Sequence, residues 1–344
     1  MELKIMVSAM AAMFVAATSC VSNNGSGASS QSQQARLDFK DGEEICFADP
    51  TVFCDSGKYY MTGTLGDSSN GFAMLESTDL EHWTPVNDGS LVLASGSSTF
   101  GTTGFWAPQI YKEGNKYYYF YTANEQVAVA QSPVVTGPYV QDSVRPIDSS
   151  EKNIDPFLFK DGDKYYLYHV RFNHGNYLWV AEFDINTGSI DKSSLTQCLD
   201  YTDKWEKTDD GKWDPIMEGP TVVKIDDVYY LFYSANHFLN PDYAMGYATA
   251  KSPLGPWSKH NGNPVIHRSI VGENGSGHGD LFYGADGKPY YVYHVHQSDS
   301  VVSPRKTRIV PLVMTKDEQT GVLDIKVDSS HIIVPHISLP ASAQ

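Results

Sequence analysis

Apolar residues along this chain of 344 residues fall in short runs, alternating or continuous, broken by turns rich in Asp, Gly and Asn. That pattern predicts strands rather than helices. One phrase recurs five times: "DPTVFCDSGKYYMTGT" from 49, "APQIYKEGNKYYYFYT" from 107, "DPFLFKDGDKYYLYHV" from 155, "GPTVVKIDDVYYLFYS" from 219 and "DLFYGADGKPYYVYHV" from 280. Each reads as a strand, a tight turn and a second strand, and the starts are separated by 58, 48, 64 and 61 residues. The tyrosine pair begins ten residues after each start. Further strands follow, such as "GFAMLEST" and "HWTPV" in the first unit, "VAVAQS" and "GPYV" in the second, and "AMGYATAK" and "GPWSK" in the fourth. Four strands repeating at this period predict a five-bladed β-propeller over residues 37–344. A β-sandwich would not repeat in matched copies, and a solenoid would have a shorter period.

In a propeller the first strand of each blade lines a central channel, so residues at equivalent phrase positions converge. Asp49 and Asp155 lead their phrases and precede Pro50 and Pro156, which bias them toward extended backbone. In the fourth unit the lead position is Gly219 and the acid, Glu218, stands one place earlier; the glycine gives the backbone freedom to redirect it. In the fifth unit the aligned acid is Asp280. Carboxylates gathered at one mouth repel one another, which a purely structural protein has little reason to tolerate. Glycoside cleavage needs such a set: one carboxylic acid protonates the leaving oxygen while a carboxylate across the sugar activates water or attacks carbon. Asp49 and Glu218, two blades apart, leave room for a sugar between them. Asp155, in the neighbouring blade, is expected to raise the pKa of Glu218 by like-charge proximity.

Composition narrows the partner. The formal net charge is -16, so a phosphate backbone or an anionic membrane surface is repelled, and nucleic acid is excluded as a partner class. A neutral polysaccharide carries no such penalty, and 12% aromatic residues suit the stacking of sugar faces. The N-terminal run "IMVSAMAAMFVAA" after Lys4 has the dimensions of a signal sequence, and "ATSC" resembles a lipobox. Residues 1–19 are therefore expected to be a leader of lipoprotein type, with lipid on Cys20, and 20–36 a flexible tether. The expected location is exported and anchored to a bacterial membrane, on its periplasmic or cell-surface face. Cys46, Cys54 and Cys198 are expected to be buried free thiols.

The motifs "ADP", "STDLEHW" (77–83), "FWAP" (105–108), "IDPFLF", "EGPTV" and "SGHGD" (276–280), in this order, resemble glycoside hydrolase family 43. The resemblance implies a five-bladed propeller and an inverting mechanism, with Asp49 as general base, Asp155 tuning pKa and orienting substrate, and Glu218 as general acid. It also implies that His278 helps hold a hydrated metal ion, often calcium in such proteins, in the central channel, though Asp280 stands where that motif commonly has serine. Asp280 either strengthens a cation site or faces a turn.

Trp106, beside the second lead position, is a candidate wall of the sugar subsite, the alternative being core packing. Arg305 and Arg308 precede a late strand; one of them, taken as Arg308, is a candidate to hydrogen-bond a substrate hydroxyl or Glu218, against the alternative of a surface arginine. Trp83 and the tyrosine pairs read as blade core. The long interruption over 186–217, with Trp205 and Trp213, is where outer subsites are expected. The expected activity is an inverting, exo-acting release of α-L-arabinofuranose or β-D-xylose from plant cell-wall polysaccharide. The alternatives are endo-cleavage of xylan or arabinan, release of β-D-galactofuranose, and a non-catalytic glycan-binding propeller.

Overall fold

The computed structural model describes residues 36–66, 68–207 and 214–340. The leader, Cys20, most of the tether and Trp213 lie outside the described residues. Among those residues, five antiparallel sheets radiate from a common axis, and a short pair, Gly71–Phe72 with Leu93–Ala94, lies apart from them. The innermost strands are Ala48–Asp55, Trp106–Glu113, Asn153–Asp161, Met217–Ile225 and Gly277–Tyr283. Each touches the next, and the last touches the first, so the ring closes as a five-bladed propeller. The chain's late strand His336–Ile337 pairs in parallel with His82–Pro85, so blade 1 takes strands from both ends of the described chain.

The recurring tyrosine pair has a packing cause. Successive strand residues face opposite sides of a sheet. Tyr59 accordingly enters the cluster between blades 5 and 1 with Phe282, and Tyr60 the cluster between blades 1 and 2 with Tyr119. The same split recurs around the ring, and each interface between blades holds one apolar cluster. Trp83 is fully buried in the cluster between blades 5 and 1.

Two local readings of the sequence are corrected. The fifth phrase is two places out of register. Gly277 pairs with His294 as Ala48 pairs with Thr64, so His278 is the counterpart of Asp49, and Asp280 that of Thr51. One extra residue in the hairpin turn and a one-place shift of the tyrosine pair hid this. In blade 2, "GPYV" does not form a fourth strand; it contributes only a bridge between Gln131 and Val140. Of the three free cysteines Cys198 is buried as expected, whereas Cys46 is half-buried and Cys54 exposed. Cys54 shares a strand face with the buried Val52 but lies near the outer end of the strand, where the cover of the neighbouring blade runs out.

Candidate active site

Every inner strand carries a bulge at the same height, and the residue at its centre has a left-handed backbone: φ is 48° at Asp49, 44° at Ala107, 55° at Asp155, 60° at Gly219 and 42° at His278. The extended conformation expected before Pro50 and Pro156 is therefore overturned. Four of the five are not glycine, and such backbone costs on the order of 1–2 kcal/mol per residue. It persists because the amide of each is held. Asp49 N donates to His294 Nδ1 at 3.1 Å, Ala107 N to Thr64 Oγ1 at 2.9 Å, Asp155 N to Thr122 Oγ1 at 3.0 Å and His278 N to Ser234 Oγ at 2.8 Å. These acceptors sit at one position in the second strand of the preceding blade. In blade 3 that position is Val170, which cannot accept, so the amide of Gly219 donates instead to Asp155 Oδ2 at 3.1 Å. The exception in the pattern thus fixes the Asp155 carboxyl.

Asp49, Trp106, Asp155, Glu218, His278 and Arg305 line one cavity of about 170 Å³, with Ile154, Asn176, Ile216, His237 and Phe238 completing its wall. Below it the channel narrows through a second ring, Thr51, Gln109, Phe157, Thr221 and Asp280. Asp280 faces the axis and not a turn: it accepts from Thr51 Oγ1 at 2.6 Å and Thr221 Oγ1 at 3.3 Å, and burial pushes its pKa up to about 6.

The carboxyls that share the cavity differ sharply. Burial alone would raise the pKa of Asp49, but Arg305, whose NH1 lies 2.9 Å from Oδ1, together with His278 and His294, holds it well below the usual carboxylate range. Thr64 Oγ1 donates to its other oxygen at 2.7 Å. Glu218 has no cation in direct contact, only hydrogen bonds from Tyr243 and Asn176. Burial lifts it to about 7, against a hydrogen bond from the Tyr243 hydroxyl at 2.7 Å, and the nearby Asp49 charge adds to the rise. Asp155 is raised well above its ordinary value by burial, then by Glu218 and Asp49. The expectation that Asp155 is what lifts Glu218 is thus corrected, since desolvation dominates. Burial lowers His278, and burial with the Arg305 charge drives His294 to about 3, so both rings are neutral near pH 7.

Of the residues expected at the mouth, Asp49, Asp155, Glu218, Trp106 and His278 line the cavity. Arg308 does not. It is buried against two glutamates, with Nε and NH2 on Glu273 at 2.8 Å each and NH1 at 3.0 Å from Glu44. Arg305 stands at the mouth instead, its guanidinium 4.7 Å from the Phe238 ring centre. Three residues along a strand turn the side chain to the opposite face, so only one of the two arginines can face the cavity. Trp205, half-buried, packs at 5.5 Å on Tyr233 against the blade core.

Sequence reading missed Thr64, Thr122, Ser234, His294 and Tyr243. The first three close their phrases, and a polar residue ending an otherwise apolar strand was the available signal. His278 turns Nδ1 toward Asp49 and Asp155, at 3.4 and 3.9 Å, and among the described residues no three His, Cys, Asp or Glu side chains are arranged to hold a metal ion. Calcium takes about six to eight oxygen ligands. The side chains around His278 do not supply that shell by themselves, and water would have to complete it around any ion held there.

A propeller whose axis ends in a cavity shared by a charged carboxyl, Asp49, and the protonatable Glu218 and Asp155 has the groups that a glycoside-cleaving hydrolase needs. Residues 45–320 match the model for glycosyl hydrolases family 43, and the chain belongs to that family. A solved structure from Bacteroides thetaiotaomicron, titled an endo-1,4-β-xylanase, is 37% identical, with a TM-score of 0.78, covering 86% of this chain and 98% of that one. A β-D-galactofuranosidase of Aspergillus niger is 25% identical over 72% of this chain and 73% of its own length. An extracellular endo-α-(1→5)-L-arabinanase of Bacillus subtilis is 24% identical over 63% and 69%.

Proposed function

We propose that this glycoside hydrolase inverts the anomeric centre and acts from chain ends, releasing α-L-arabinofuranose or β-D-xylose from plant cell-wall polysaccharide. The observation that carries the reading is the opposed protonation of two carboxyls in one cavity: Asp49 ionised beside Arg305, and Glu218 buried with a pKa of about 7. Glu218 gives its proton to the glycosidic oxygen as the bond to the anomeric carbon breaks. Asp49 takes a proton from a water that attacks the same carbon from the opposite face. Asp155 orients the sugar, held itself by the Gly219 amide, and Trp106 offers an apolar wall to the ring.

Release of single sugars is supported by the small volume of the cavity and by the bulky wall made by Trp106, His237 and Phe238. Internal cleavage of xylan is the second reading, favoured by the 37% identity to a protein titled an endo-xylanase. Aryl arabinofuranosides and xylosides, then linear arabinan and xylan with chromatography of the products over time, separate the two. Monosaccharide alone from the first minutes is expected; a ladder of oligosaccharides overturns the exo reading. Proton NMR of the first-formed sugar must show the inverted anomer, and a retained one refutes a base-activated water.

We also propose that the protein is exported and lipid-modified on Cys20. Metabolic labelling with a fatty acid should mark the wild type and not Cys20→Ala.

A further inference from the structure

Tyr243 lies outside every recurring phrase, yet it is one of the most constrained side chains in the molecule. It directly precedes the third strand of blade 4, Ala244–Ala250, and is wholly buried. One face of its ring stacks on His294, with centroids 5.6 Å apart and planes 10° from parallel. Its edge presses on Gly277, where a Cβ would sit 2.7 Å from Tyr243 Cε1, so only glycine leaves room for the ring. The hydroxyl, thus placed, donates to Glu218 Oε1 at 2.7 Å. The other partner in the stack reaches the second carboxyl: His294 Nδ1 takes the Asp49 amide at 3.1 Å, and its Nε2 lies 3.2 Å from Arg305 NH1. One stacked pair of rings therefore joins the two reacting groups from behind.

We propose that Tyr243 is a positioning residue for the acid step, occupying Oε1 of Glu218 so that Oε2 is the oxygen presented to the leaving group, and stabilising the carboxylate that remains after the proton has gone. The proton passes from Glu218 to the glycosidic oxygen, the electron pair of the broken bond stays on that oxygen, and the new negative charge on Glu218 meets a donor already in place. A hydrogen bond to a charged group contributes more than one to a neutral group, so this contact strengthens as the bond breaks. The proposal rests on Glu218 being the general acid.

The test is a set of aryl glycosides of one sugar with phenols of graded acidity, measured with the wild type, Tyr243→Phe, Glu218→Gln and the double variant. The phenylalanine keeps the ring stack, and near-UV circular dichroism checks that it does. With the least acidic phenol, Tyr243→Phe should lower kcat about 10- to 100-fold with KM little changed, and with the most acidic phenol by about threefold or less. In the Glu218→Gln background, on a phenol of middle acidity, adding Tyr243→Phe should cost almost nothing, because its only route to the reaction is gone. An equal loss on all phenols, or the same loss with and without Glu218, overturns the proposal and leaves Tyr243 as packing. If Glu218→Gln itself shows no dependence on phenol acidity, the general-acid reading fails and the proposal falls with it.

Discussion

Two buried glutamates stand twelve residues apart at the entrance to blade 4, and their surroundings begin alike. Glu206 is 1% exposed and Glu218 9%. Each accepts a tyrosine hydroxyl, from Tyr233 at 2.8 Å and from Tyr243 at 2.7 Å. The difference is a lysine. Lys259 Nζ lies 2.6 Å from Glu206, whose other oxygen also takes the amides of Thr202 and Asp203 at 2.9 and 2.8 Å. That glutamate is a latch, tying the crossing segment to blade 4. Around Glu218 the available cation, Arg305, is held on Asp49 at 2.9 Å, and desolvation is offset only in part, by Tyr243, by the more distant Arg305 charge and by Asn176. Burial and a tyrosine do not by themselves keep a carboxyl protonated near neutrality; the want of a direct cation does.

The largest effect should come from breaking the reactive member. Glu218→Gln is expected to lower kcat/KM by about 10²–10⁴-fold on substrates with poor leaving groups, whereas Glu206→Gln leaves the activity of the folded enzyme within about twofold. Steady-state kinetics on both variants checks this, and comparable losses would erase the distinction. The pH profile sharpens it: the wild-type rate should fall as pH rises through about 7, where Glu218 loses its proton, and this limb should vanish in Glu218→Gln.

Breaking the latch should act on stability instead. Lys259→Met strands the Glu206 charge in a buried site, at a cost of about 3–5 kcal/mol. A melting temperature lower by roughly 5–10 °C is expected, with kcat unchanged at temperatures where the variant is folded. Calorimetry beside kinetics decides it, and unaltered melting would show that the latch is idle.

The smallest effect is a pH-dependent one. Glu218 has its pKa raised on folding, so its contribution favours the fold below the unfolded value of 4.5 and is lost as pH rises through about 7. Glu218→Gln should therefore gain on the wild type in alkaline solution, by up to about 3 kcal/mol, and the gain should fade toward pH 4. Denaturant titrations across that range measure it. A constant difference would mean that Glu218 is not the group titrating.

Reading the sequence went furthest where the repeat itself carried the information. Asp49 and Asp155 lead matched phrases, and a radial fold brings matched positions together whatever the details. Glu218 was legible because a glycine occupies the lead place after it. Asp280 was misplaced because a hairpin longer by one residue cannot be told, in a lone sequence, from a shift of the strand. Arg308 was preferred over Arg305 without a physical ground: Arg305 lies just before the strand Lys306–Lys316 and Arg308 inside it, and which one faces the mouth depends on where that strand begins to alternate.

The amino-acid order alone determined the strand-and-turn grammar, its fivefold recurrence and the set of acids at the phrase starts, because each depends on neighbours along the chain. What those acids can do was decided only by the folded molecule. Arg305 meets Asp49 across 256 residues, Tyr243 and His294 stack between blades, and Asp155 receives the Gly219 amide because Val170 cannot. Protonation is set by burial and by charges a few ångströms away in space, and no spacing along the chain encodes those distances.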